Sequence, residues 1–229
     1  MNSHAFRAPV AELVGTALFV FFGAGSAVAN AAGIGLGPTG VALAHGVGIS
    51  VLITMTMAVS GGHLNPAVSL ALWLAQKIDG RRFAFYVAAQ LLGAIIGALL
   101  VKAFFPTGVG RVTSLGTPQI SGALTLLEAI AIEAVLTFFL VSAVFGTCVH
   151  PAAPRVGGFG IGLAIFTCAL VCGSLTGAAM NPARAFGPAL VSLDWHGQII
   201  YWIGPGLGAA AAAALWRYLL LPQDAAQLA

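Results

Sequence analysis

The sequence predicts an all-α membrane protein, with six transmembrane helices and two re-entrant half-helices arranged as an inverted 3+3 repeat. Three observations predict it. Of 229 residues, 59% are hydrophobic and only 7% charged, which is too little polar surface for a protein surrounded by water, so most of the exterior must face lipid. Six apolar runs are long enough to cross about 30 Å of hydrocarbon. The tripeptide Asn-Pro-Ala occurs twice, as Asn65-Pro66-Ala67 and Asn181-Pro182-Ala183, each time at the head of an apolar run too short to cross.

The elements follow in chain order. Residues 1–9 lack the basic, apolar and cleavable layout of a removed signal, so the run 10–31 is read as a retained first helix. Further spans are expected near 40–59, 83–104, 122–147, 156–175 and 198–221. The short runs 67–75 and 183–191 cover only about half a bilayer at 1.5 Å per residue. Segment 105–121, rich in Gly, Pro and Thr, reads as an outer loop joining the two halves. Those halves cover about 8–104 and 122–221 within one domain, 1–229.

Duplication is visible in three places. The tripeptides are 116 residues apart, from 65 to 181. Glu12-Leu-Val-Gly-Thr16 is matched by Glu133-Ala-Val-Leu-Thr137, and Gln90-Leu-Leu-Gly93 by Pro205-Gly-Leu-Gly208. Three crossings per half is an odd number, so the second copy must enter upside down. A cytoplasmic N-terminus then puts Arg7, Lys77, Arg81, Arg82, Arg155 and Arg217 on the inner side, leaving Lys102 and Arg111 outside, as positive charge is usually distributed. Gly93-x-x-x-Gly97, Gly158-x-x-x-Gly162 and Gly204-x-x-x-Gly208 supply small faces for close helix packing in lipid.

The tripeptides carry the chemistry. An Asn side chain caps free N–H groups, and Pro needs no donor at the first helical position, so each tripeptide opens a half-helix. In an inverted pair the two half-helices enter from opposite faces and meet N-terminus to N-terminus. Irregular backbone at that depth requires a polar cavity. Two macrodipoles, each equivalent to about half a positive charge, converge there, beside amide donors from Asn65 and Asn181. A neutral acceptor such as water is favoured, a cation is repelled, and proton relay along a water file is interrupted.

Other classes find little support. Gly-x-Ser-x-Gly, His-Glu-x-x-His and paired catalytic carboxylates are missing from the sequence, so an enzyme is not expected. Nor is a cofactor. The net charge of +3 is dispersed, which disfavours a nucleic-acid partner. Cys148, Cys168 and Cys172 have no metal-ligand spacing, and core packing is expected for all three, although Cys172 sits where it could reach a lumen. The alternative function is a secondary transporter of a small polar solute, since inverted repeats with broken helices occur there too. The midplane is expected to offer only Asn65 and Asn181, with no carboxylate adjacent to them, which weighs against it.

Ser60-Gly-Gly-His-Leu-Asn-Pro-Ala-Val68, Thr176-Gly-Ala-Ala-Met-Asn-Pro-Ala-Arg-Ala-Phe-Gly-Pro188 and Ala11-Glu-Leu-Val-Gly-Thr16 resemble the aquaporin, or major intrinsic protein, family, and the likeness extends over essentially the whole chain. The resemblance implies an aquaporin-like fold, a homotetramer with one pore per subunit, and water as the permeant. It implies an outer filter containing Arg184, with His45, Ala169 and Ala178 reached by counting from the tripeptides. It also implies that Glu12 and Glu133 hold the re-entrant loops, with His63 bracing the first from the cytoplasmic side. Water-selective members carry Phe and His where this chain has His45 and Ala169, so a wider filter that also passes ammonia or hydrogen peroxide is expected. Glycerol-conducting members carry Asp and Lys or Arg where this chain has Ala185 and Ala189, while Tyr201-Trp202 matches the water channels. Short termini and lean loops suggest a prokaryotic inner membrane, with both termini cytoplasmic.

Overall fold

The computed structural model describes residues 4–222, and all regular structure among them is helical. The long helices are α1 (His4–Ala29), α2 (Gly37–Ser60), α4 (Gly80–Phe104), α6 (Leu126–Val144), α7 (Phe159–Thr176) and α9 (Ile200–Leu215), with the half-helices α3 (Pro66–Leu74) and α8 (Pro182–Ser192) between them. Local sequence explains their ends. The Asp79 side chain accepts from Arg82 N to start α4, and Thr125 with Glu128 forms a capping box on α6, each satisfying donors that a helix start leaves free. Gly61 and Gly177, at φ +94° and +79°, end α2 and α7 in left-handed turns, a conformation glycine adopts without cost.

Five helices meet the length and apolarity needed to cross a membrane. The sixth, α9, runs on as a π turn from Trp216 to Leu220, and the continuous helical stretch from Ile200 to Leu220 reaches about 30 Å. The fold is thus six spans and two half-helices, as the sequence predicts. One connection differs from expectation. Segment 105–121 contains a further short helix, α5 (Thr107–Val112), and a 3-10 turn at Ser114–Gly116.

The halves match in their packing. α1 lies on α4 and α6 on α9, while α2 lies on α7 across the repeat. Each pairing uses the predicted small faces. A Cβ on Gly97 would strike the Ala17 carbonyl, one on Gly208 the Ala134 carbonyl, and one on Gly162 the Gly46 carbonyl, so the backbones approach as closely as glycine permits. The outer faces of the spans are apolar and exposed at Val47, Val51, Met55, Val135, Leu163 and Val171, consistent with a lipid surround. α3 and α8 sit inside this frame, α3 against α9 and α4, α8 against α4 and α1.

Candidate functional site

Each half-helix starts as its sequence dictates. Asn65 Oδ1 accepts from Ala67 N at 2.8 Å, and Asn181 Oδ1 accepts from Ala183 N at 3.0 Å and Arg184 N at 3.2 Å. Their amide nitrogens reach across the repeat. Asn65 Nδ2 donates to Met180 O at 2.8 Å, and Asn181 Nδ2 donates to Leu64 O at 2.9 Å. An amide nitrogen carries two N–H groups, so one holds the two halves together and the other is left for the space between them. Reaching this geometry holds Leu64 at φ +49° and Met180 at φ +50°, a left-handed backbone that costs about 1–2 kcal/mol per residue.

Two buried carboxylates hold that backbone in place. Glu12 Oε1 accepts from Ser60 Oγ (2.6 Å) and His63 N (3.0 Å), and its Oε2 accepts from Leu64 N (2.6 Å) and Gln90 Nε2 (2.8 Å). Glu133 Oε1 accepts from Thr176 Oγ1 (2.7 Å) and Ala179 N (2.9 Å), and its Oε2 from Met180 N (2.7 Å). Carboxylates therefore do lie next to both asparagines in space, although not in sequence. All four of their oxygens already accept from protein donors, and charge-assisted bonds of this kind are the strong ones.

Arg184 is buried on the first turn of α8. Its Nη1 donates to Gly116 O at 2.8 Å, its Nη2 lies 3.2 Å from His45 Nε2, and its Nε has no acceptor among the described residues. His45 Nδ1 lies 2.9 Å from Val41 O. A carbonyl can only accept, so Nδ1 carries the proton and Nε2 accepts from Arg184. The structure thus brings His45 and Arg184 together. Ala178 is buried at φ +44°, with its N–H on Thr176 Oγ1. Ala169 is half-buried on α7, beside the main core, and its methyl can make no polar contact with the pair.

A narrow cavity borders both asparagines, lined by Phe19, Ile49, His63, Asn65, Leu140 and Asn181, among others. The space open to water centres there is ≈ 10 Å³, about that of one water. His63 borders this cavity as well as bracing the loop, since its Nδ1 lies 3.0 Å from Ser69 Oγ. Tyr86 carries no signal of its own in the sequence, and Tyr201 is read there only as part of the Tyr201-Trp202 pair. Tyr86 Oη donates to Ser60 O and Tyr201 Oη to Thr176 O, so the matching tyrosines tie the C-terminal turns of α2 and α7. Their 115-residue separation is the signal that could have found them. The cysteines follow expectation only in part. Cys168 is buried, with Sγ 3.8 Å from Leu136 O, and Cys172 packs half-buried beside the core, whereas Cys148 is exposed in a π turn after α6.

Comparison with known proteins agrees with this geometry. Residues 1–216 match the model of the family described as major intrinsic protein. Aquaporin-4 of Homo sapiens is 40% identical over 166 residues, covering 72% of this chain and 51% of that protein, so the match spans about half of the relative's length. "Probable aquaporin TIP3-2" of Arabidopsis thaliana is 38% identical over 232 residues, covering 95% of this chain and 85% of that protein. The X-ray structure of an aquaglyceroporin from Plasmodium falciparum superposes with a TM-score of 0.85 at 25% identity, over 99% of this chain and 100% of the other. The chain is a multi-pass integral membrane protein and belongs to the major intrinsic protein family.

Proposed function

We propose that this chain is a passive channel that conducts water and excludes protons and ions. The observation that carries the reading is the reciprocal bonding of Asn65 to Met180 O and of Asn181 to Leu64 O. It sets two helix N-termini against one narrow cavity and leaves each amide a donor for a passing oxygen. Water held by two such donors cannot hand a proton along the file, and the converging dipoles repel cations.

In this reading Asn65, Pro66, Ala67, Asn181, Pro182 and Ala183 form the central constriction. Arg184, His45, Ala178 and Ala169 form the outer filter, where the Arg184 guanidinium donates to the permeant and adds a positive barrier. Glu12, Glu133 and His63 support the loops. Ala169 contributes only a methyl, which supports passage of ammonia and hydrogen peroxide beside water. Ala185 and Ala189 supply none of the polar groups expected for glycerol. The subunits assemble as a homotetramer, and the lean connecting loops fit a prokaryotic inner membrane with both termini cytoplasmic.

Stopped-flow shrinkage of proteoliposomes under an osmotic step tests the proposal. Shrinkage well above that of protein-free vesicles, insensitive to imposed proton or sodium gradients, is expected. Flow no faster than protein-free vesicles overturns it, and flow driven by an ion gradient makes the chain a transporter.

A further inference from the structure

We propose that Arg82 and Tyr86 are positioning residues that fix the ring of His63 and thereby set the free width of the inner half of the lumen. The inference rests on the channel reading above and adds residues to it. His63 borders the narrow cavity together with Gly62, Asn65 and Asn181. One edge of its ring is tied at Nδ1 to Ser69 Oγ, 3.0 Å away, and the ring packs against Tyr86 in a T-shaped contact, with centroids 4.9 Å apart at 75°. A short residue would need no such support. An imidazole beside a passage with room for about one water does, because a swing about χ1 would fill it.

Tyr86 is itself held in a defined orientation. Its hydroxyl accepts from Arg82 Nε at 3.0 Å and Nη2 at 2.7 Å, and donates to Ser60 O at 2.6 Å. Arg82 Nη2 also lies 3.2 Å from Ser60 O. Because a guanidinium only donates, the tyrosine proton has one place to go, the Ser60 carbonyl. The planar fork therefore fixes both the ring and the hydroxyl, which a lysine's single ammonium could not do in the same way.

The second half of the repeat serves as an internal control. Tyr201 matches Tyr86 and donates to Thr176 O at 2.7 Å. The positions that match His63, Ser69, Arg82 and Gln90 hold Ala179, Ala185, Gly197 and Pro205. Where there is no imidazole to hold, the arginine, the serine and the glutamine are missing too. Holding the helix end alone needs only the tyrosine, so the extra groups of the first half go with the histidine.

A double-mutant cycle in proteoliposomes tests this. Tyr86→Phe is expected to lower water permeability per channel about threefold, on the scale of one lost hydrogen bond, and Arg82→Lys to lower it by less. In a His63→Ala background both losses should shrink to what the tie to Ser60 O contributes by itself, because no ring remains to be misplaced. An independent readout is solid-state NMR of the protein in bilayers with ¹⁵N-labelled histidine, the His63 signals being assigned with His63→Gln. Those signals should shift or broaden in Tyr86→Phe and Arg82→Lys, while those of His45 stay in place. An equal loss of flux with and without His63, or unmoved His63 resonances, overturns the proposal. Wild-type vesicles no faster than protein-free ones would overturn the channel reading instead, and the NMR comparison then decides on its own whether Tyr86 and Arg82 hold the ring.

Discussion

Replacing Glu133 by Gln isolates the role of the buried carboxylates, because shape is kept and only the acceptor pattern changes. Glu133 accepts from Thr176 Oγ1, Ala179 N and Met180 N. A glutamine offers one acceptor oxygen and an NH₂ that must face one of these donors. With the nitrogen at the Oε2 position Met180 N–H loses its acceptor, and at the Oε1 position Ala179 N–H does. One buried backbone donor left unpaired costs about 1–3 kcal/mol. The surviving bonds fall from charge-assisted to neutral strength, roughly a further 1 kcal/mol. The local cost of about 2–4 kcal/mol acts on a peptide already in a left-handed conformation, whose carbonyl is the acceptor for Asn65. Water permeability per channel is expected to fall at least about tenfold, the change that 1.4 kcal/mol brings. Glu12→Gln should cost about as much, because its NH₂ leaves His63 N–H or Leu64 N–H without an acceptor in the same way, and a flip of Gln90, whose Oε1 has no partner among the described residues, repairs neither. Stopped-flow permeability normalised to reconstituted protein checks both variants. Wild-type flow through either variant would show that the carboxylates do not hold the two loops.

Three further outcomes are expected. Gly97→Ala should lower thermal stability in detergent by the equivalent of about 1–3 kcal/mol of overpacking, since its Cβ meets the Ala17 carbonyl, whereas Gly48→Ala, which meets nothing within 4 Å, should leave stability unchanged or raise it. In Gly23→Ala the new Cβ would lie 2.9 Å from His45 Cδ2 and Nε2; the ring must move off Arg184, and the ratio of hydrogen peroxide to water permeability should change severalfold. Asp194, between α8 and α9, is held below its ordinary 3.8 chiefly by the Ser114 hydroxyl, then by His196 N and Gln119. A depressed folded pKa gives stability that is present above pH ~4 and is lost as pH falls through the folded value. Protection of the outer loops against hydrogen exchange should therefore weaken below pH 4 in the wild type, and Asp194→Asn should remove that pH dependence.

The features legible in the sequence were those with a one-to-one physical signal. Asn-Pro at a helix start has a capping reason at Asn65 and Asn181, and a glutamate inside an apolar span must find donors, as Glu12 and Glu133 do. Gly97, Gly162 and Gly208 sit where backbones meet because spacing alone selects one helix face. What escaped depends on backbone direction rather than residue type. The Gly116 carbonyl reaches Arg184 because Ser114, Leu115 and Gly116 all take positive φ, from +47° to +75°, and neither Ser114 nor Leu115 announces that. That Glu12 and Glu133 reach the re-entrant loops follows from the family resemblance and not from spacing, because α1 and α6 approach those loops only after folding. Cys148 was expected to pack in the core because its neighbours are apolar, but the π turn at Phe145–Val149 turns it outward.

Two amides facing one cavity should let water through and stop protons. Osmotic shrinkage and proton entry, the latter read by an internal pH dye, should be measured in the same vesicles at several protein densities. Water flow rising in proportion to protein while proton entry stays at the protein-free level is the predicted result. Proton entry that climbs in step with water flow would show that Asn65 and Asn181 do not interrupt the water file.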